Sequence, residues 1–467
     1  MIELLRKSFE LNKERIAYTI NGESITYDLL WKRAQYYSEL LKRQGTSPVI
    51  IAGNKGTDYI TMIIACICAS RTYIPLNGDV PHERLKKIIS ASKSDLVINL
   101  ADVSIEGAEC CKPDELIKYK DDQMLSISND TVYIIFTSGS TGEPKGVPIK
   151  KENLMNFIEW ICSVRPLSEY KNINVLNQAN YSFDLSVADL YYSLCSGHTI
   201  ISFTGDIYSS LENIFENFKS ADAAVLTPTF IKYCLLEKSF NHITYPRLKC
   251  LFFCGEQLEP KTVRRIFKSF PDINVINAYG PTEATCAVSA VQITPEMAAN
   301  CEILPVGKCG TSAVDISVEN GEIVLRGMSV FSGYLNTTGG YFKEKGINCY
   351  RTGDCGYYKD GYLYCQGRID RQIKFKGYRI ELDEIEKAIS SIKYVKDCAV
   401  AASKNELGAI KSIKAFVVSE SMISSSEIKD KLKASLPDYM IPRTIKFLDS
   451  LPVSSNGKTD RKALENL

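Results

Sequence analysis

Apolar residues in this chain fall into short runs that switch between two spacings. Val132-Tyr133-Ile134-Ile135-Phe136 is continuous and flanked by polar residues, which predicts a buried strand. Pro48 to Ala52, Tyr73 to Leu76 and Leu96 to Leu100 share that texture, and the stretches Tyr59 to Ser70 and Glu83 to Ser90 between them read as helices. Alternation of this kind predicts an α/β sheet with parallel strands. A second series runs from Asn174 to Cys254, with strands predicted at Thr199 to Phe203, Ala223 to Leu226 and Cys250 to Phe253, each followed by a helix-like segment. From Gly321-Glu322-Ile323-Val324-Leu325 onward, short strands and Gly-rich turns predict a β-rich appendage. A last unit holds a helix from Leu382 to Ile392 with Leu382, Ile385, Ala388, Ile389 and Ile392 at helical spacing. The predicted fold is α/β. A large N-terminal lobe of several subdomains (1–369) has parallel-rich sheets plus the β-rich appendage, and a small α+β C-terminal domain (370–467) follows a boundary at Asp370.

Charge narrows the partners. Lys plus Arg total 56 against 55 Asp plus Glu, scattered along the chain, so no basic footprint for nucleic acid or an anionic membrane is present. Tyr59 to Ser70, the most apolar stretch, is shorter than the roughly 20 residues that span a bilayer, so no membrane insertion is expected. The start, Met1-Ile2-Glu3-Leu4-Leu5-Arg6-Lys7, has no apolar signal core. Of 16 cysteines most sit in apolar elements without repeating metal spacing, and there are three histidines. A reduced, cytoplasmic protein with buried thiols is expected, and a structural zinc site is not.

After the Val132 strand comes Thr137-Ser138-Gly139-Ser140-Thr141-Gly142-Glu143-Pro144-Lys145-Gly146. Glycines permit close backbone approach, hydroxyls and N–H groups converge easily on phosphate oxygens, and Lys145 adds a cation. Taken alone, these residues fit a polar surface turn as well as a phosphate cradle. They do not form the usual P-loop, because Pro144 precedes Lys145 and Val147-Pro148-Ile149 reads as extended.

Further motifs follow in order: Ile25-Thr26-Tyr27-Asp28-Leu29-Leu30, Tyr73-Ile74-Pro75-Leu76, Tyr279-Gly280-Pro281-Thr282-Glu283, Tyr350-Arg351-Thr352-Gly353-Asp354, Gly367-Arg368-Ile369-Asp370-Arg371-Gln372-Ile373-Lys374 and Asn456-Gly457-Lys458. With the Thr137 loop, this series resembles the adenylate-forming superfamily of acyl-CoA synthetases, luciferases and peptide-synthetase adenylation domains. Asn177-Gln178-Ala179, Ser182-Phe183-Asp184-Leu185-Ser186-Val187, Phe253-Cys254-Gly255-Glu256 and Leu436-Pro437-Asp438-Tyr439-Met440-Ile441-Pro442-Arg443 are similar to the D-alanine:D-alanyl carrier protein ligase group within it.

The resemblance implies ATP and Mg²⁺ as cofactors, a small amino acid as substrate, and a phosphopantetheinylated carrier protein acting in trans. Adenylate formation would be followed by transfer to the carrier thiol. Lys458 would be the catalytic cation bridging carboxylate and α-phosphate. ATP would be held by Thr137, Ser138, Gly139, Ser140, Thr141, Gly142 and Lys145, by Asn277, Ala278, Tyr279, Gly280, Pro281 and Thr282, and by Asp354, Cys365, Gln366, Gly367 and Arg368. In that scheme Tyr279 stacks on adenine, Asp354 takes the ribose hydroxyls, and Glu283 is the metal ligand. Asp184 would pair with the substrate ammonium, with Leu185, Cys254, Gly255, Ala278, Gly280 and Cys286 around it and Ala188, Val225 and Phe252 completing the wall. Asp184 also suits a helix cap for Leu185 onward. Asp370 would be the hinge of a mobile C-terminal domain. D-alanine is the expected substrate, and a stand-alone peptide-pathway enzyme loading glycine, serine or L-alanine is the alternative.

Overall fold

The computed structural model describes residues 1–101, 109–118, 130–139, 142–204, 211–375, 378–404, 410–421, 423–452, 459 and 461–465. The chain divides into two compact units: 1–78, 92–135 and 147–369 form one, and 79–91, 136–146 and 370–467 form the other. The division does not follow chain order, since 79–91 and 136–146 group with the C-terminal residues.

Three sheets hold most of the first unit. In the first, strands run in the order Glu109–Cys111, Leu96–Asn99, Val49–Ala52, Tyr73–Leu76, Thr131–Thr137, Lys145–Lys150, and the pairs of its first five strands are parallel. Val49–Ala52 is buried at every position, as a strand covered on both faces must be. The apolar stretch after it forms the helix Thr57–Cys68. The second sheet has eight strands, ordered Ser289–Ile293, Asn274–Tyr279, Cys250–Phe253, Ala223–Leu226, Asn174–Asn177, Thr199–Ser202, Ile16–Ile20, Glu23–Thr26. Its six inner strands are parallel and only the two outermost pairs are antiparallel. Local chemistry starts the helices beside it: Thr26 caps Tyr27–Leu41, and Thr227 caps Pro228–Cys234, whose first residue is proline. The predicted β-rich appendage is the third sheet, six antiparallel strands including Ile347–Lys359 and Tyr362–Arg368. Two apolar cores lie in this unit, one from Leu5 and Phe9 to Leu325 and Leu363, the other from Leu176 and Ile201 to Ile293 and Leu304.

The second unit holds the hairpin Gln372–Phe375/Tyr378–Glu381 and a three-stranded sheet of Val395–Lys404, Ile410–Ser419 and Thr444–Phe447. Helix Leu382–Ser390 packs on that sheet through Leu382, Ile385 and Ile389, three of the positions its spacing predicts. The second helix, Ser425–Lys433, is opened by a capping box of Ser424 and Glu427. All 16 cysteines are free thiols. Among the described residues, no helix is long and apolar enough to cross a membrane.

Candidate active site

In open parallel sheets, loops at the carboxyl ends of the strands converge on one crevice, and the eight-stranded sheet delivers several of the expected residues there. Tyr279 ends the strand Asn274–Tyr279, and Cys254 and Gly255 follow Cys250–Phe253. Residues 178–184 connect the strand Asn174–Asn177 to the helix Leu185–Ser196.

Tyr279 is buried and its hydroxyl donates to Asp354 Oδ2 at 2.7 Å. Arg368 Nη1 donates to Asp354 Oδ1 at 2.9 Å and to the Thr352 carbonyl at 2.9 Å. Asp354 and Arg368 are opposite partners on neighbouring antiparallel strands, so strand register sets this ion pair. Burial, then the charge of Asp354, pushes the Tyr279 hydroxyl far above its usual range, and it stays a donor. Each carboxylate oxygen carries a second lone pair, so Asp354 retains acceptor capacity for a diol. Asn277, also buried, donates from Nδ2 to the Pro305 carbonyl at 2.7 Å. Cys365 is partly exposed, and Gln366 and Gly367 are exposed on the same strand as Arg368.

Pro281 leads into a 3-10 turn, Thr282–Ala284, and then Thr285 and Cys286 both adopt positive φ, at 61° and 72°. Two consecutive non-glycine residues in that region are strained, and surrounding bonds hold them. Thr285 Oγ1 donates to Ser329 O at 2.7 Å, Phe331 N to Glu283 O at 2.8 Å, and Tyr334 Oη to Glu283 Oε1 at 2.5 Å. Gly280 is required by space: a Cβ there would lie 2.5 Å from Ala287 Cα and 2.8 Å from the Cys286 carbonyl. That close approach brings the end of the Asn274–Tyr279 strand against the strained turn. Cys254 Sγ lies 3.8 Å from Cys286 O. Burial raises the Cys286 thiol well above its usual range, with the charges of Asp184 and Cys254 adding to it, so it stays a neutral thiol. Leu185, Ala188, Val225, Phe252 and Ala278 belong to the same buried cluster. Asp184 precedes the helix Leu185–Ser196 yet makes no side-chain cap bond to it. Gly255 has φ +93°, with open space where a Cβ would point.

A polar cluster at the same strand ends has no counterpart among the expected residues. Lys55 Nζ donates to Asn177 O (3.1 Å), Asn177 Oδ1 (3.0 Å) and Gln178 O (3.0 Å). Asn177 Nδ2 in turn donates to Asp189 Oδ2 at 2.8 Å. Burial lowers the Lys55 pKa and raises that of Asp189. The signal available in sequence was position alone: Gly53-Asn54-Lys55-Gly56 follows a buried strand, where ligand loops collect.

In the second unit, Ser138 Oγ donates to Arg379 O (2.8 Å) and accepts from Glu381 N (3.1 Å). Gly139 N donates to Glu384 Oε2 at 3.0 Å, and Lys145 Nζ lies 3.4 Å from Glu381 Oε1. Glu384 also accepts from Arg84 at 3.0 Å. Thr137 is buried, and Gly142 has φ +79° in the turn that its N–H closes onto Gly139 O. Asp370, first residue of the C-terminal segment, accepts from Gln372 N at 3.2 Å. Ser140, Thr141 and Lys458 lie outside the described residues. Three positions beyond Lys458, Arg461 is clasped by both oxygens of Glu386, at 2.8 and 2.9 Å.

Among the described residues, no three His, Cys, Asp or Glu side chains gather as a metal cage.

Residues 5–335 match the family model of the AMP-binding enzyme, and 384–458 that of the AMP-binding enzyme C-terminal domain. A D-alanine–D-alanyl carrier protein ligase of Bacillus licheniformis is 36% identical over 100% of this chain and 99% of its own length. One from Listeria welshimeri is 37% identical over 96% of this chain and 95% of its own. Among solved structures, the Vibrio cholerae adenylation domain AlmE in complex with glycyl-adenosine-5'-phosphate superposes with a TM-score of 0.84 at 24% identity, covering 99% of this chain and 96% of that one, a likeness of fold. The chain belongs to the AMP-binding enzyme family, as an AMP-forming ligase related over its full length to the D-alanine–D-alanyl carrier protein ligases.

Proposed function

We propose that this enzyme activates D-alanine with ATP and passes the aminoacyl group to the phosphopantetheine thiol of a separate carrier protein, in the cytoplasm. The full-length relationship to carrier protein ligases of several genera is the observation that carries this reading. A carboxylate oxygen of the amino acid attacks the α-phosphorus, and the bond to pyrophosphate breaks. The carrier thiol, losing its proton, then attacks the acyl carbon and AMP leaves.

Each residue has a task in that sequence. Asp354, held by Tyr279 and Arg368, offers its remaining lone pairs to the ribose diol, and the Tyr279 ring stacks on adenine. Asp184 takes the substrate ammonium. Leu185, Ala188, Cys254 and Cys286, all in one buried apolar cluster, face the substrate side chain. Glu283 holds the Mg²⁺ that accompanies ATP and neutralises phosphate charge. Ser138, Gly139 and Lys145 serve the phosphates, exchanging their present acceptors on residues 379–384 for phosphate oxygens. Lys458 joins the two reacting anions, and Asp370 is the hinge that replaces it with the thiol path. Lys458→Ala should lower adenylate formation by at least about 100-fold while transfer from supplied adenylate survives. Amino-acid-dependent ATP–pyrophosphate exchange with D-alanine tests the whole reading, and no exchange with any small amino acid would refute it.

A further inference from the structure

An ammonium carries three N–H donors, and Lys55 has three oxygen acceptors at 3.0 to 3.1 Å: two backbone carbonyls and one side-chain amide oxygen. The geometry matches the protonated form. No carboxylate lies within ion-pair distance of Nζ among the described residues, so the charge is held by carbonyl dipoles and by the Phe203 ring, whose centroid is 4.9 Å away. Its counter-charge is relayed. Asn177, fully buried, accepts from Lys55 and Ser202 on Oδ1 and donates to Asp189 Oδ2 and Ala179 O on Nδ2. Asp189 is fully buried, and its Oδ1 has no hydrogen-bond partner.

The acceptors of Lys55 open the segment 177–184, which ends at Asp184. Past Asn177 this segment belongs to no strand, so its course rests on tethers from loops and helices of the first sheet. Lys55 holds its start, the Tyr59 ring lies 5.1 Å from Tyr181, and Ser182 Oγ donates to Asn77 Oδ1 at 2.7 Å. Lys55 is the charged tether, and its removal would leave the carbonyls of Asn177 and Gln178 without this donor.

We propose that Lys55 is a positioning residue for amino-acid selection: its ammonium fixes the Asn177–Gln178 backbone and thereby sets where Asp184 meets the substrate ammonium. The inference rests on the reading of Asp184 given above, and the test separates the two.

The experiment is a double-mutant cycle in ATP–pyrophosphate exchange on the full chain, using Lys55→Met, Asp184→Asn and both together, with KM measured for D-alanine and for ATP. Lys55→Met should raise KM for D-alanine about 10-fold or more and leave KM for ATP within about twofold. On the Asp184→Asn background it should add little, because both changes act through one contact. Lys55→Arg should show the same selective rise in smaller degree, since a planar fork cannot meet three acceptors arranged for an ammonium. It serves as the test if Lys55→Met fails to fold. Effects of Lys55→Met and Asp184→Asn that multiply fully, equal rises in both KM values, or a Lys55→Arg enzyme indistinguishable from the parent would overturn the proposal. A normal KM for D-alanine in Asp184→Asn alone would instead remove the reading of Asp184.

Discussion

Asp354 shows how much one side chain can be asked to hold. Two buried or nearly buried donors, the Tyr279 hydroxyl and the Arg368 guanidinium, end on its two oxygens. Asp354→Ala should destabilise the chain by about 2 kcal/mol, because it removes the acceptor of the buried Tyr279 hydroxyl and of one Arg368 N–H. Urea unfolding checks this, and KM for ATP should rise while KM for D-alanine holds. A second residue sets a pH limit. His198 is buried, accepts from Ile173 N, and leaves Nε2 without a partner, so burial lowers its pKa to about 4. Its folded pKa lies below the unfolded value. The unfolded chain therefore binds more protons between the two, and stability is full above the ordinary histidine range and falls as pH drops toward 4. About 2 kcal/mol should be lost between pH 7 and 5 on this account, and His198→Gln should flatten that part of the profile in urea unfolding. The roles proposed for Asp354, Tyr279 and Arg368 come from the resemblance of their motifs, which the sequence displays. Lys55 was not, since its acceptors lie 122 and 123 positions away and nothing in its own surroundings marks it.

At the scale of elements, most of the scaffold was readable. The apolar runs at Tyr73–Leu76, Ala223–Leu226 and Cys250–Phe253 are strands over the very residues predicted, since both faces are buried and no alternation obscures them. The helix predicted to reach Ile392 ends at Ser390, a difference within the last turn. What pattern could not show was the strained turn Thr285–Cys286, since neither residue type announces a positive φ. Gly280→Ala tests that turn. The added methyl must push Ala287 and the Cys286 carbonyl aside, so a loss of about 2 kcal/mol in stability is expected, with a rise in KM for D-alanine exceeding that for ATP. Equal stability and kinetics would mean that the turn yields freely and does not shape the pocket.

For the whole molecule, the grouping of 79–91 and 136–146 with 370–467 was invisible to a reading that follows the chain. The contacts responsible, Ser138 with Arg379 and Gly139 with Glu384, join residues 241 and 245 positions apart. Their consequence is chemical: the donors proposed for phosphate already have protein acceptors, so ATP must win them. Family membership was readable because the motifs are ordered along nearly the full length, and the family models and full-length relatives agree with it. The proposed substrate follows from the full-length relatives, which are D-alanine–D-alanyl carrier protein ligases. The most direct measurement is ATP–pyrophosphate exchange across D-alanine, L-alanine, glycine and D- and L-serine at equal concentration. The account predicts the highest kcat/KM for D-alanine, and a preference for L-alanine, glycine or serine, or exchange with none, would contradict it.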